Sequence, residues 1–402
     1  MADQVTRIAI LGSGPAGLMA ATELILEQKR LQKKSSEIHV FEKRSGLGRK
    51  LLIAGSSGLN ISHHLPPLEF AHHYEGWDHA FWTELLSQYR PEDWVSFIET
   101  SLGLETFIGT SNRYFVKEMK ASRLLKEWLF FLESHGVQFH SQHELNDFHS
   151  TADGIDLSFK NQETKGIEFF RFDKVAAFLG GGSWEEETPT WPALFRSKGL
   201  EVLPFQASNV GYEIEWAAAF LKESEGKPLK KVDLTTTRGT KRGELVITQY
   251  GIEGTPVYFC GIPGPATLDL KPDLSHSQIL EKLSRTKENL SPMRRVKKFL
   301  ALPEASESLL FHHSPPEVKA NLSMLIDYVK KFPVHLKSAR PLKEAISSKG
   351  GLALSELTNH FQLKAFPRIY CGGEMLNWDA PTGGFLIQAS VSQGAIIGRA
   401  LA

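Results

Sequence analysis

Residues 5 to 11, Val-Thr-Arg followed by the apolar Ile-Ala-Ile-Leu, read as a buried strand, and the period then changes to that of a helix continuing to about Gln28. A second strand follows at residues 37 to 42, so the chain opens on a strand, helix, strand unit. Between about 60 and 115 the pattern is aromatic and polar, punctuated by Pro66, Pro67 and Pro91, and predicts short helices that cap the first unit. An amphipathic helix is expected at about 120 to 134, where Leu124, Leu125, Trp128, Leu129 and Leu132 recur at helical spacing. Strand patterns follow at 137 to 140, 155 to 159, 167 to 172 and 174 to 179, the last running into Gly180, Gly181 and Gly182. A strand stopped by glycines brings backbone close to something.

From about 205 the texture changes. β-like pieces around 210 to 215, 232 to 237, 244 to 248 and 256 to 260 precede a helical stretch broken by Pro292, Pro303, Pro315 and Pro316. The pattern predicts an inserted domain over 206 to 335, β-rich with a helical segment at about 275 to 330. Residues 1 to 205 and 336 to 402 form the discontinuous domain around it. The chain then returns to glycine-rich α/β character and ends with a strand at 368 to 371, a loop, and a helix beginning near Gly384.

Composition narrows the function classes. At roughly 150 residues per domain, 402 residues make two or three domains. No apolar run approaches the roughly 18 residues of a membrane span, because Glu23 interrupts the longest candidate. The N-terminal residues lack a signal-peptide pattern, so a cytoplasmic location is expected. Cys260 and Cys371 form no CxxC, which argues against a disulfide framework or a structural zinc site. The 46 basic and 46 acidic side chains cancel, which disfavours nucleic acid as the main partner. The local cluster Arg294, Arg295, Lys297 and Lys298 reads as a solvated helix face. The pairs His63 and His64, His72 and His73, and His312 and His313 do not suit a metal, since adjacent side chains face different ways. No GxSxG supports a serine hydrolase. Oligomeric state is not readable.

The chemistry concentrates in Gly12-Ser13-Gly14-Pro15-Ala16-Gly17, which follows a strand and opens a helix. Glu42 stands 25 residues after Gly17, at the end of the next strand. Gly12 permits a tight turn, Gly14 lets a pyrophosphate approach the backbone, and Gly17 lets helix and strand pack closely. The helix dipole contributes roughly 0.3 to 2 kcal/mol toward holding the phosphates. Glu42 suits ribose hydroxyls and disfavours a 2′-phosphate, which leaves FAD or NAD. Two further segments favour FAD: residues 48 to 60, a glycine- and serine-containing loop after the second strand, and residues 372 to 384, which lead into the last helix. The amides of that helix would point at an electron-rich part of a flavin ring.

In these segments the chain resembles the BaiN-like (YhiN-type) bacterial NAD(P)/FAD-dependent oxidoreductases. The resemblance rests on GSGPAG at 12 to 17, GRKLLIAGSSGLN at 48 to 60, GGGSW at 180 to 184, GGLALSEL at 350 to 357 and GEMLNWDAPTGGF at 373 to 385. It covers both ends well and the middle poorly. Where many relatives carry Arg-Cys, this chain has Gly58-Leu59 before Asn60, which is similar to a Gly-Leu loop subfamily, so no thiol chemistry carries over. The resemblance implies an α/β fold: a discontinuous Rossmann-like, glutathione-reductase-like FAD domain, interrupted by a β-barrel-like domain carrying a helical piece.

The candidate cofactor-binding residues are Gly12, Gly14, Pro15, Ala16, Gly17, Glu42, Lys43, Arg49, Lys50, Asn60, Gly181, Gly373, Glu374, Asp379, Gly383, Gly384 and Phe385. Lys50 could stabilise charge on a reduced ring or serve as a solvated or phosphate-facing lysine. Asn60 could bond the ring or fix a turn. Glu374 and Asp379 could hold the ribityl or pyrophosphate part through neighbouring amides, or simply cap a helix. Cys371 reads as a small buried strand residue. No catalytic acid or base is assigned and no metal is expected. The favoured function is an FAD-dependent oxidoreductase acting on a small molecule, with NADH or NADPH as a transient reductant. No second complete GxGxxG exists to bind that nicotinamide. The implied acceptor is an activated carbon-carbon double bond. A flavin-dependent RNA-modifying enzyme and a non-catalytic flavoprotein are the alternatives.

Overall fold

A computed structural model describes residues 5 to 55, 59 to 284 and 290 to 402. The chain divides into two compact units, Met1–Gln206 with Ser347–Ala402, and Ala207–Ile346.

The first unit is built on a five-stranded sheet, every adjacent pair parallel. Its order is Ile369–Cys371, Lys174–Ala177, Arg7–Leu11, Glu37–Phe41 and Gln138–His140. Parallel strands are covered on both faces, and here Ile8, Ala9, Ile10, Val40 and Ala176 are wholly buried. Because all five run the same way, the turns that follow residues 11, 177 and 371 gather at one edge of the sheet. The helices Pro15–Arg30 and Phe385–Leu401 are locked together by backbone. A Cβ on Gly394 would lie 2.2 Å from the Ala16 carbonyl oxygen, and one on Gly398 would lie 2.4 Å from that of Ala20. Arg399 pairs with Glu23 across the same contact at 2.8 Å.

Two antiparallel sheets complete this unit. One comprises His143–Ser150, Ile155–Asn161 and Ile167–Phe172, and Phe41 stacks on its Phe159. The other comprises Asn60–His63, Arg113–Val116 and Thr106–Ile108. Trp82, Trp94 and Trp128 are fully buried, and the Trp128 indole donates to Thr22 on the first helix. The strands Val202–Ser208 and Ser347–Leu352, which precede and follow the excursion into the second unit, pair with each other.

The second unit holds a six-stranded antiparallel sheet in the order Tyr212–Glu213, Gly251–Glu253, Gly239–Thr248, Pro228–Thr236, Gly264–Asp269 and Phe332–Leu336. Its two ends meet: Tyr212 bridges Ala339, the Glu213 amide donates to Ser338, and the Arg340 amide donates to Gly211. Closure of this kind removes the open edges on which other strands could add. The helices of this unit, from His276–Ser284 to Leu322–Lys330, turn residues such as Ile279, Val296, Leu309 and Leu325 into its core. In the basic helix Pro292–Leu300, Lys297 pairs with Glu307 and Arg295 donates to the Leu290 carbonyl. Among the described residues, no helix is long and apolar enough to cross a membrane.

Four segments differ from the sequence pattern. The return to the first unit lies at residue 347 rather than near 336, because Phe332–Leu336 is the sixth strand and the residues just after it close the sheet. Residues 256 to 260 belong to a short helix, Thr255–Cys260, which Gly254 at φ +123° and an early Pro256 initiate. The 48 to 60 segment contains a helix, Arg49–Ala54, anchored by buried Leu51, while residues 56 to 58 lie outside the described residues. His143–Ser150 is a strand whose alternation is hidden by a register shift between Leu145 and Asp147, which sets its buried Leu145 and Phe148 three apart.

The helix contact generates a prediction. Gly394→Ala should cost about 1 to 3 kcal/mol by overpacking, while Gly46→Ala, whose Cβ would meet nothing within 4 Å, should stay within about 0.5 kcal/mol of wild type. Denaturant unfolding measures both, and equal stability for the two variants would refute the close contact.

Candidate functional site

The turn after the first strand is shaped by two glycines and left open at a third. Gly12 has φ +107°, and a Cβ there would sit 2.2 Å from the Phe178 carbonyl oxygen. A Cβ on Gly17 would sit 2.0 Å from the carbonyl oxygen of Gly12. At Gly14, the N-cap of the first helix, a Cβ would meet nothing within 4 Å, and its φ of −73° suits any residue. The first amides of a helix have no intrahelical acceptor, so Gly14, Pro15 and Ala16 open on a site that favours anions.

Glu42 closes one side of this turn. Its Oε2 accepts from the Ser13 hydroxyl at 2.5 Å and the Ser13 amide at 3.3 Å, and its Oε1 accepts from the Arg44 amide at 3.1 Å. The Ser13 hydroxyl in turn accepts from the Gly48 amide at 3.1 Å. Lys43 and Arg44 both reach Glu185, at 3.0 and 2.7 Å, and Arg49 donates to the Trp184 carbonyl at 2.8 Å. Burial alone would raise the Glu185 carboxyl, but Lys43 and Arg44 hold it below its ordinary value.

Glu374 is a hub that joins separate stretches of chain. Its Oε2 accepts from Lys50 at 3.1 Å and the Gly181 amide at 3.3 Å. Its Oε1 accepts from Ser183 Oγ at 3.1 Å and the Ser348 amide at 3.1 Å. Lys50 also donates to the Gly181 carbonyl at 3.0 Å. The neighbouring Gly373, at φ +74°, is fixed from both sides: its amide donates to Gln393 at 2.7 Å, and its carbonyl accepts from the Trp378 indole at 2.8 Å.

A third group surrounds the start of the last helix. Gly383 and Gly384 have φ +107° and +99°, and a Cβ on Gly384 would strike the Ser62 backbone at 2.8 Å. The strand Asn60–His63 therefore packs directly against that helix N-terminus. Phe385 turns inward, stacked on His63 at 4.4 Å and packed against Phe70, His73 and Tyr74, so its amide rather than its ring faces the turn. His63 pairs in register with Arg113 on the adjacent strand, whose guanidinium lies 3.2 Å from a Cβ built on Gly383. Burial and then the Arg113 charge push the His63 imidazole down to about 4, against a hydrogen bond to the Gly383 backbone. Asn60 Oδ1, His63 Nδ1 and Arg113 Nε are each buried without a hydrogen-bond partner among the described residues. Burial also lowers the Arg113 guanidinium.

Several sequence candidates thus fall into connected groups. Gly12, Gly14, Pro15, Ala16, Gly17 and Glu42 frame the first turn, with Lys43 and Arg49 in the ion-pair cluster beside it. Lys50, Gly181, Gly373 and Glu374 form the hub, and Gly383, Gly384 and Phe385 open the last helix. The Asp379 carboxylate accepts from the Ala380 amide at 2.9 Å, and its backbone bridges Glu75. Cys371 is fully buried, and burial raises its thiol far above the ordinary range. Sequence reasoning passed over Ser13, Ser348 and Arg113. Only Ser13, inside the glycine motif, carried a local signal.

The family model described as HI0933-like protein Rossmann domain matches residues 6–400. Among curated proteins, the 3-dehydro-bile acid delta(4,6)-reductase of Clostridium scindens is 23% identical over 425 residues, covering 99% of this chain and 99% of that protein. Among solved structures, a mutated E. coli quinol fumarate reductase FrdA superposes with a TM-score of 0.51 at 13% identity, over 99% of this chain and 70% of its own. The 3-ketosteroid-delta4-(5alpha)-dehydrogenase of Rhodococcus jostii RHA1, in complex with 4-androstene-3,17-dione, gives a TM-score of 0.50 at 12% identity, over 99% and 97%. At such identities the structural likeness carries the fold alone.

The depressed histidines set a pH dependence. Burial, then neighbouring His39 and His143, also bring His140 down to about 4. Below about 6.5 the unfolded chain takes up protons that folded His63 and His140 refuse until about pH 4. Stability is therefore present in full above pH 6.5 and is lost as pH falls from there through 4. Thermal melts across this window should show the decline, with a shallower slope for His63→Phe, which keeps the stack on Phe385. An unchanged slope would mean that His63 titrates normally.

Proposed function

This chain belongs to the HI0933-like protein Rossmann-domain family, and from that premise we propose that it is an FAD-dependent oxidoreductase that takes electrons from NADH or NADPH and reduces a small organic acceptor. The observation that carries the reading is the contrast within one turn. The fold's own packing accounts for Gly12 and Gly17, whose Cβ atoms would strike backbone, whereas nothing among the described residues accounts for the empty space at Gly14. A diphosphate lying against the backbone at the helix N-terminus accounts for it.

The remaining groups fit the rest of the cofactor. Gly12, Gly14, Pro15, Ala16 and Gly17 would cradle the pyrophosphate. Of about four acceptor sites, Glu42 gives three to the Ser13 hydroxyl and the Ser13 and Arg44 amides and keeps one on Oε1 for a ribose hydroxyl, with Lys43 and Arg49 close by. Asn60 Oδ1 offers a buried acceptor to a ring N–H, and the amides of Gly384 and Phe385 offer positive potential to an electron-rich carbonyl edge. Lys50, Gly181 and Glu374 satisfy one another, Gly373 is held beside them by Gln393 and Trp378, and together they would fix the wall of the site. When bound, FAD supplies two-electron hydride chemistry at its N5 atom. The acceptor we infer is an activated carbon-carbon double bond, a reading in keeping with the bile-acid reductase that the chain resembles along its whole length.

The RNA-modifying alternative rests on the helix Pro292–Leu300. A gel shift of total tRNA at physiological salt would favour it, and absence of binding removes it. Electron turnover above the free-flavin background removes the non-catalytic alternative.

Gly14→Val tests the carrying observation. The variant apoprotein should still fold, losing no more than about 1 to 2 kcal/mol through the poorer N-cap because a Cβ there meets no atom within 4 Å, while its affinity for FAD falls about a hundredfold through loss of the phosphate approach. Equal FAD affinity, or wild-type protein that takes up no flavin, overturns the reading. Stopped-flow bleaching of the yellow band by NADH and by NADPH identifies the donor, and failure of both removes the nicotinamide step.

A further inference from the structure

Arg113 is a cation at the start of the last helix that the described residues leave unanswered. No ion pair joins it to any carboxylate among the described residues, and its Nε is buried with no acceptor. Lys50, Lys43, Arg44 and Arg399 all have carboxylate partners in the same unit. A half-buried charge without a partner costs stability, so a position that keeps one calls for an anion supplied from outside the chain. The guanidinium also lies against Gly383, beside the helix N-terminus, so two sources of positive potential converge. His63, its register partner, is uncharged at neutral pH and adds no competing charge.

We propose that Arg113 is the anion-stabilising residue of the site, its guanidinium and the N-terminus of the helix Phe385–Leu401 together holding the negative charge that a flavin gains on its N1–C2=O edge. The proposal rests on the FAD reading above and assigns a role to a residue outside the glycine motifs. Arg113 then raises the tendency of the cofactor to accept electrons, while contributing little to holding the adenine half.

Sulfite is the probe. It adds its lone pair to flavin N5, forming one S–N bond, and the displaced electron pair places negative charge on the N1–C2=O edge, with no oxidant or reductant consumed. In FAD-loaded protein, Arg113→Gln and Arg113→Met should weaken sulfite binding roughly tenfold to a hundredfold, the span of a lost charge-assisted hydrogen bond. Both should lower the midpoint potential of the flavin, and Arg113→Lys should recover part of each effect. FAD uptake should persist in all three. Removal of an unpaired buried charge should also leave the apoprotein melting no lower than wild type, and two neutral variants keep the test readable if one misfolds. Variants that bind FAD with wild-type sulfite affinity and potential overturn the proposal, as does a rise confined to KM for the acceptor, which would assign the guanidinium to substrate. Wild-type protein that takes up no FAD defeats the cofactor reading itself, a result seen before any variant is made.

Discussion

The site depends on backbone meeting backbone between helices from opposite ends of the chain. Ala16 and Ala20 present carbonyl oxygens to Gly394 and Gly398 at distances that exclude a side chain. That contact fixes where both helices begin, and their first turns supply the positive ends of the helix dipoles. Every other feature of the site is placed relative to these starts: the glycine turn that precedes the first helix, the glycine pair that precedes the last, and Gly373, whose amide is held by Gln393 from the last helix. Arg399 and Glu23 reinforce the contact, although burial raises the Glu23 carboxyl, so the pair is better understood as fixing the register of the helices than as a source of stability.

Charges around the site fall into two kinds. Those at Glu374 and Glu185 are answered by local donors, which makes them structural: they hold separate loops at the ends of the parallel strands in one arrangement. The unsaturated groups, Asn60 Oδ1 and Arg113 Nε, lie on one strand pair facing the start of the last helix. The acceptor and the cation stand at opposite ends of that pairing, Asn60 opposite Phe115 and Arg113 opposite His63, so they offer two separate polar contacts to whatever lies against it.

What the sequence made legible follows from how local each signal is. The glycine turn announces itself because Gly12, Gly14 and Gly17 act on their own few neighbours, and the parallel strands because they are buried on both faces. The helix Thr255–Cys260 was hidden because a short apolar run has no period of its own, and Pro256 spoke for a break rather than a start. The strand His143–Ser150 was hidden by its irregular register. Arg113 was invisible for a different reason: it sits in a short strand with no motif, and it reaches the site only through pairing with Asn60–His63, half a hundred residues earlier, and through contact with Gly383 near the other end of the chain.

The excursion into the second unit leaves this arrangement undisturbed for a topological reason. The strands Val202–Ser208 and Ser347–Leu352 pair with each other, so the departing and returning stretches of the chain are clamped side by side. Ser348, at the start of the returning strand, donates its amide to Glu374 and accepts the Gly182 amide on its hydroxyl. The hub is therefore completed only after the second unit has been traversed. Its geometry is set by strand pairing within the first unit, and lengthening the intervening chain adds only a slowly growing closure entropy. The inserted residues can then vary in length while the hub stays where the strand pairing and the two helix starts put it.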